Sequence, residues 1–292
     1  VGGALLYIIF RYRRRPGDPD PPQTHGHKNL EIAWTIIPII VLAIVAVPTV
    51  TTIFYNANSP EPEALTVNVV AHQWWWEFRY PHPTDADEEV ITANELHIPV
   101  NKVVNVVLDS KDVLHSFWIP KLAGKVDLVP NNTNVMWIEA DHVGEYLGQC
   151  AEFCGIAHAA MRFRVVAEPQ EEFDAWLIRQ AAPAFSSTDP LVMEGRALFE
   201  DQAQCFSCHT VDGVKKARGT NGPNLTHLGS RSHIAAGLFK NTQANLRMWL
   251  TDPEAAKPGN SMAREAVIYT DPDRELTEAQ VSALVAFLGS LE

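Results

Sequence analysis

The stretch LTVNVVAHQWWWEFRY, residues 65–80, decides the fold of the middle of the chain. Apolar and polar residues alternate through LTVNVV and aromatics carry the run on, the period of two expected of a strand with one buried face. Further β-rich runs follow at turn-separated intervals: ELHIPV (95–100), KVVNVVLDS (102–110), NVMWIEA (134–140) and MRFRVVAE (161–168). Several short strands of this kind imply a sandwich or small barrel. A helix over about 171–180 closes the sheet region, and AAPAFSSTDP (181–190) reads as an exposed linker. Beyond it the chain turns helical. Asp189-Pro190 has the form of an N-cap followed by proline at the first helical position, and Thr277 to Gln280 form a capping-box pattern. Val281, Leu284, Val285 and Leu288 then recur at i, i+3, i+4, i+7, the stripe of an amphipathic core helix.

Towards the N-terminus, Ile32 to Tyr55 contains no charged residue, and its 24 residues at about 1.5 Å each span the ~30 Å core of a bilayer with a little tilt. Pro38 and Pro48 are tolerated in such a span, where neighbouring helices re-satisfy the freed backbone groups. VGGALLYIIF (1–10) is too short to cross alone; because the chain begins at Val1 rather than Met, it reads as the end of another span whose first part, with any signal peptide, precedes it. The loop between carries Arg11, Arg13, Arg14, Arg15 and Lys28 against Asp18 and Asp20, which favours the cytoplasm and sends everything after Tyr55 outside. Three regions are expected: a transmembrane helical hairpin with an incomplete first helix (1–59), an all-β domain with its closing helix (60–180), and a linker with an all-α domain (181–292).

With 46% apolar and 20% charged residues, the composition excludes a disordered or fibrous chain. A net charge of −12 argues against a nucleic-acid partner. The acidity is concentrated: residues 56–180 hold eight basic against nineteen acidic residues.

The four cysteines fall into two close pairs, which points to metal or cofactor chemistry. Cys205-Phe206-Ser207-Cys208-His209 is a CxxCH motif. Its spacing lets two thiols form thioethers to the vinyl groups of a c-type haem while the histidine reaches the iron. The alternatives are a zinc knuckle or a redox CxxC. Met262, on the turn after Pro258-Gly259, is the candidate sixth ligand, since a Met/His pair raises the potential of a late carrier. His227 and His233 compete, while Met248 lies mid-helix in NLRMWL. Gly222-Pro223-Asn224-Leu225 resembles the GPxL turn of class I cytochromes c, in which the proline carbonyl accepts a hydrogen bond from the axial histidine.

The other pair, Cys150 and Cys154, is followed by His158 and Met161, with His115 upstream. A mononuclear blue-copper site takes one Cys, two His and a weak Met, so this loop has a thiol to spare. Two thiolates bridging two coppers, with one His on each and Met161 on one, use every donor. A Cys150–Cys154 disulfide and a Cys₂His₂ zinc site are the alternatives, and neither needs Met161.

With LEIAWTIIP, HQWWWEFRY, DVLHSFWIP, GKVDLVP and GQCAEFCGIAHAAM, nearly the whole chain resembles subunit II of haem–copper cytochrome c oxidases, in the caa3-type class with a fused C-terminal cytochrome c domain. The resemblance implies a cupredoxin sandwich carrying a dinuclear CuA centre, with His115, Cys150, Cys154, His158, Met161 and the backbone carbonyl of Glu152 as ligands. The Glu152 side chain is then expected to hold magnesium or manganese at the boundary with subunit I. By the same resemblance Trp74 is the expected electron-entry residue, although strand alternation puts Trp74 and Trp76 on one face and cannot choose between them. The usual QWYW reads QWWW here, with Trp75 in place of tyrosine. Glu31 matches a carboxylate at the cytoplasmic entrance of a proton pathway; it reads equally as an acid stabilised at a helix N-terminus.

The implied function is to pass electrons from haem c to CuA and on to a haem of subunit I, which reduces oxygen and couples this to proton pumping. Expected partners are subunit I, accessory subunits and a respiratory donor, either a quinol-oxidising complex or a small cytochrome c. The expected location is a bacterial plasma membrane, multi-pass, with both redox domains on the outer face. A CuA-bearing subunit of a nitric oxide reductase and a membrane-anchored electron carrier without a catalytic partner are the alternatives.

Overall fold

A computed structural model describes residues 1–23 and 25–292. At the N-terminus, α1 (Gly2–Arg11) and α2 (Lys28–Ala57) have no buried residues. Helix α2 is apolar on every side, with a mean hydropathy of 2.5 over its best window, the pattern of a helix whose solvent is lipid rather than water. It extends past both ends of the uncharged run, so Glu31 falls in its first turn, and it accommodates Pro38 and Pro48 without ending. Helix α1 is helical as expected, but its ten residues reach only about half the bilayer core. Among the described residues α2 alone is long and apolar enough to cross, so the multi-pass expectation is corrected to one span.

The middle of the chain folds as two five-stranded sheets. The first has the order β3 (Glu89–Ala93), β2 (Trp75–Pro81), β1 (Thr66–His72), β5 (Val104–Ser110) and β8 (Asn134–Ile138). The second has the order β4 (Glu95–Pro99), β10 (Arg162–Glu168), β9 (Gly144–Cys150), β6 (His115–Trp118) and β7 (Val126–Leu128). In β1 the alternate residues Val67, Val69 and Ala71 are fully buried, as the period of two requires. The sheets meet through aromatics: Phe117 and Phe163 of the second sheet stack on each other at 4.7 Å, and Trp76 of the first packs edge-on against Phe117 at 5.5 Å. Trp76 is thus a core residue. Helix α3 (Gln170–Gln180) closes one end by burying Phe173, Trp176 and Leu177, spaced i, i+3, i+4.

Gln73 and Trp74 form the turn between β1 and β2, and β2 begins only at Trp75. Trp74 and Trp76 nonetheless join the same core cluster, while Trp75 packs in a separate one with Ala93 and Ala236.

The last third is helical around a core of its own. Helix α4 (Pro190–Glu200) begins as expected, with the Asp189 side chain accepting from the Leu191 amide and proline in the first turn. The hairpin β11 (His233–Ile234) and β12 (Phe239–Lys240) precedes α5 (Gln243–Thr251), α6 (Pro253–Ala256), α7 (Ser261–Glu265) and α8 (Val267–Thr270). The terminal helix α9 (Glu278–Gly289) opens with the Thr277/Gln280 capping box and buries Val281, Leu284, Val285 and Leu288. Helices α4 and α9 cross at Gly195, where a Cβ would lie 2.0 Å from the Ala283 carbonyl oxygen; only glycine permits that approach.

Candidate functional site

Two strand ends and one loop gather the first donor set. Cys150 ends β9, His115 starts β6 beside it, and the loop to β10 carries Cys154, His158 and Met161. The thiols of Cys150 and Cys154 are free and 3.8 Å apart, far beyond the ~2.05 Å of a disulfide. His115 Nδ1 lies 3.8 Å from the Cys150 sulfur, and His158 Nδ1 and the Met161 sulfur lie 3.6 and 3.8 Å from the Cys154 sulfur. The carbonyl oxygen of Glu152 points into the same cluster, 3.2 Å from Cys150 Sγ. Two thiols, two imidazoles, a thioether and a carbonyl around one buried point are a soft donor set, which suits copper.

The local electrostatics fit a cation there. The hydrogen bond from Cys154 holds the Cys150 thiol down at about 3, while the same bond and burial push the Cys154 thiol up. Two thiolates this close ionise together only with positive charge between them. His115 is oriented by Asp112, whose carboxylate lies 2.8 Å from Nε2. A carboxylate can only accept, so Nε2 carries the proton and the Nδ1 lone pair faces the sulfurs. Burial alone would depress the His115 pKa; the bond to Asp112 raises it. Asp112 also accepts from the Gln73 and Val113 amides, at 2.7 Å each, which ties the histidine to the Trp74 turn. Sequence reasoning missed Asp112, and its signal was the i−3 spacing to His115.

The second donor set lies in a cavity whose wall includes Cys205, Cys208, His209, Pro223 and Met262. His209 Nδ1 donates to the Pro223 carbonyl at 2.7 Å, so its Nε2 is the unprotonated nitrogen available as a ligand. Burial lowers the His209 pKa and keeps the ring neutral. A Cβ on Gly222 would stand 2.5 Å from the His209 ring, so the glycine before the proline leaves room for the imidazole. A cavity floored by two thiols and a fixed imidazole, with a thioether in its wall, fits a c-type haem. Among the competitors, His227 is turned away and bonds the Ala182 carbonyl at 2.9 Å, Met248 is exposed, and His233 reaches the cavity wall.

Trp74 touches both centres. Its indole N–H donates to the Cys154 carbonyl at 3.0 Å, and the residue lines the cavity that holds the CxxCH motif. The Gln73 amide bonds the same carbonyl at 2.6 Å, and Arg264 of α7 sits over the Trp74 ring at 5.6 Å. Lys257, which sequence reasoning missed, is buried and donates to the Trp74 carbonyl at 2.7 Å; burial draws its pKa down to about 7. The Glu152 side chain lies apart from the sulfurs, half exposed, with Lys125 Nζ 4.0 Å away. Glu31 is exposed in the first turn of α2.

Three family models match the chain: cytochrome C oxidase subunit II, transmembrane domain, over residues 1–52; cytochrome C oxidase subunit II, periplasmic domain, over 84–168; and cytochrome c over 192–292. The chain is 42% identical to cytochrome c oxidase subunit 2 of Alkalihalophilus pseudofirmus, over 99% of its own length and 81% of that protein. Against the protein of the same name from Bacillus sp. strain PS3, identity is 40% over 96% of this chain and 80% of the relative. Against that of Bacillus subtilis it is 36% over 99% and 82%.

Proposed function

This chain belongs to the cytochrome c oxidase subunit II family, and from that premise we propose an electron path inside it, from the 181–292 domain through Trp74 to the 60–180 domain. It is the subunit through which electrons enter a haem–copper terminal oxidase, anchored in the membrane by 1–59 and working with subunit I. When bound, haem c and dinuclear CuA supply two successive one-electron carriers, with oxygen reduction and its coupled proton pumping on subunit I.

The chain's own residues divide the work. Cys205 and Cys208 would anchor a haem covalently, His209 would ligate its iron with Pro223 fixing the imidazole, and Met262 would supply the further ligand. His115, Cys150, Cys154, His158, Met161 and the Glu152 carbonyl hold the coppers. The Met161 sulfur favours copper over zinc, because a Cys₂His₂ zinc site is already complete without it. The half-exposed Glu152 carboxylate would hold magnesium or manganese with other ligands from subunit I, as hard oxygen donors prefer hard cations. Glu31, at the start of the span, passes protons from the cytoplasmic side. A quinol-oxidising complex or a small cytochrome c reduces the haem.

The observation that carries the path is Trp74, one side chain that lines the haem cavity and hydrogen-bonds the backbone of a copper cysteine. In the assembled oxidase, Cys208→Ala chains that lack normally attached haem should lose most turnover with the physiological donor while keeping the CuA spectrum. Turnover equal to wild type would refute the route through the haem domain.

A further inference from the structure

The two redox domains meet at a buried carboxylate that serves neither centre directly. Glu95, the first residue of β4, is 5% exposed, and the partners of its Oε1 lie in the other domain. Its Oε1 accepts from the Ser232 and His233 amides at 2.8 and 3.0 Å and from the Ser232 hydroxyl. Arg231, also buried, adds positive charge beside it, and the His97 ring lies 4.0 Å from its other oxygen. A carboxylate taken out of water is costly unless every lone pair finds a donor, so Glu95 is at ease here only while residues 232 and 233 are seated on it.

What it seats is a strained turn. Between β11 and β12, Ala235, Ala236 and Gly237 are consecutive left-handed residues, with φ of 54°, 61° and 73°. Alanine adopts that conformation only when its surroundings impose it. The surroundings are the end of the second sheet. The Arg164 amide bonds the Asn94 carbonyl at 2.9 Å; where β4 gives out, the Arg162 amide bonds the Ala236 carbonyl at 3.2 Å. The hairpin turn therefore takes the next rung along the edge of β10. Arg164 adds a bond to the Gly237 carbonyl at 3.3 Å, and Ala236 packs in a small apolar cluster with Trp75 and Ala93. With this turn in place, Trp74, Trp75 and Asn94 become wall residues of the cavity that holds the CxxCH motif.

The geometry points to Glu95 as the positioning residue that docks the haem domain: by anchoring the β11–β12 turn at the end of β4, it holds the haem cavity over Trp74. This rests on the electron path proposed above, in which one electron leaves ferrous haem and enters the oxidised copper pair. Charge-assisted bonds of this kind are each worth about tenfold in an equilibrium, so losing the anchor shifts the domain towards undocked states.

The test uses the full chain in the assembled, metal-loaded oxidase. Glu95→Ala should slow internal haem-to-copper transfer at least about tenfold after rapid reduction of the haem, and should speed amide exchange at Ser232 and His233 by a similar factor. The optical and EPR spectra of both centres should stay as in wild type, which separates positioning from damage to either site. Glu95→Gln keeps one acceptor oxygen and should fall between. Should Glu95→Ala not fold, Ser232→Asp decides: position 232 is exposed, and a second carboxylate there repels Glu95 without touching either core. Unchanged transfer and unchanged exchange in a folded variant would overturn the assignment of Glu95. Absence of internal transfer in wild type would instead overturn the electron path, and amide exchange would still judge the docking contact.

Discussion

Replacing Asp112 by asparagine tests how the first donor set is held together. The change is nearly isosteric and leaves every copper-facing donor in place, yet it reverses the polarity of one atom. Asp112 accepts three hydrogen bonds, from His115 Nε2 at 2.8 Å and from the Val113 and Gln73 amides at 2.7 Å each. An amide has one acceptor oxygen. If that oxygen faces Gln73, the NH₂ group faces His115 and draws the imidazole into the other tautomer, with its proton on Nδ1, the nitrogen that should bind copper. If it faces His115, the NH₂ meets the Gln73 N–H, donor against donor, and the turn that carries Trp74 is pushed off. Loss of such an orienting partner costs about 10–100-fold in metal affinity, or roughly 1.4–2.7 kcal/mol. The assay is copper retained per chain after equilibration against a graded series of chelator concentrations, read together with the mixed-valence EPR signal. Asp112→Asn should release copper at correspondingly lower chelator, with a perturbed signal in what remains. Retention and signal identical to wild type would show that Asp112 does not set the tautomer of His115.

Met262→Ala should abolish the weak far-red sulfur–iron charge-transfer band and lower the haem potential while the CuA signal stays intact; a wild-type chain lacking that band would pass the sixth-ligand role to His233, which also reaches the cavity wall, and a band that survives the substitution would pass it to another thioether. Glu152→Gln keeps the carbonyl that points at Cys150 and should spare the copper spectrum while magnesium or manganese is lost, as metal analysis of the purified complex would read; loss of the copper spectrum would contradict that division. His97 supplies a pH dependence. Burial alone would depress its pKa, but the hydrogen bonds to Glu168 and then Glu95 outweigh it and raise the value above the ordinary 6.5. Its stabilisation is therefore complete below pH 6.5 and lost as pH rises through the elevated value. The melting temperature of wild type should fall over that alkaline window, and His97→Gln, which bonds Glu168 without titrating, should flatten the fall; identical slopes would refute the contribution.

Much of this protein was legible because its chemistry is written over short stretches. Cys150, Cys154, His158 and Met161 sit within one loop, CxxCH is five residues long, and both spacings are fixed by covalent reach. The span is a composition signal, and the terminal helix shows its cap and its stripe in order. Strands β1, β5 and β10 were visible because one face of each is buried and their apolar residues alternate. By contrast, β9 alternates in burial but not in polarity, with Leu147 exposed and a glycine at buried position 148, so its sequence shows no period, and its pairing with β10 and β6 makes it a strand. Alternation could not choose between Trp74 and Trp76, because both reach one core cluster; the turn at Gln73 and the bond from the Trp74 indole to the Cys154 carbonyl set Trp74 apart. Asp112, Lys257 and Glu95 are ordinary charged residues in sequence. They acquire roles only when folding brings partners from distant segments within hydrogen-bond reach and removes water from around them, so that a carboxylate or ammonium group must find those partners or leave its charge unmet. The sequence by itself determined which donors this protein offers and the solvent of each segment; the tertiary structure decided which imidazole nitrogen faces the thiols, which tryptophan both bonds the Cys154 carbonyl and lines the CxxCH cavity, and which buried carboxylate bonds across to residues 232 and 233, because each of these depends on partners that only folding brings within reach.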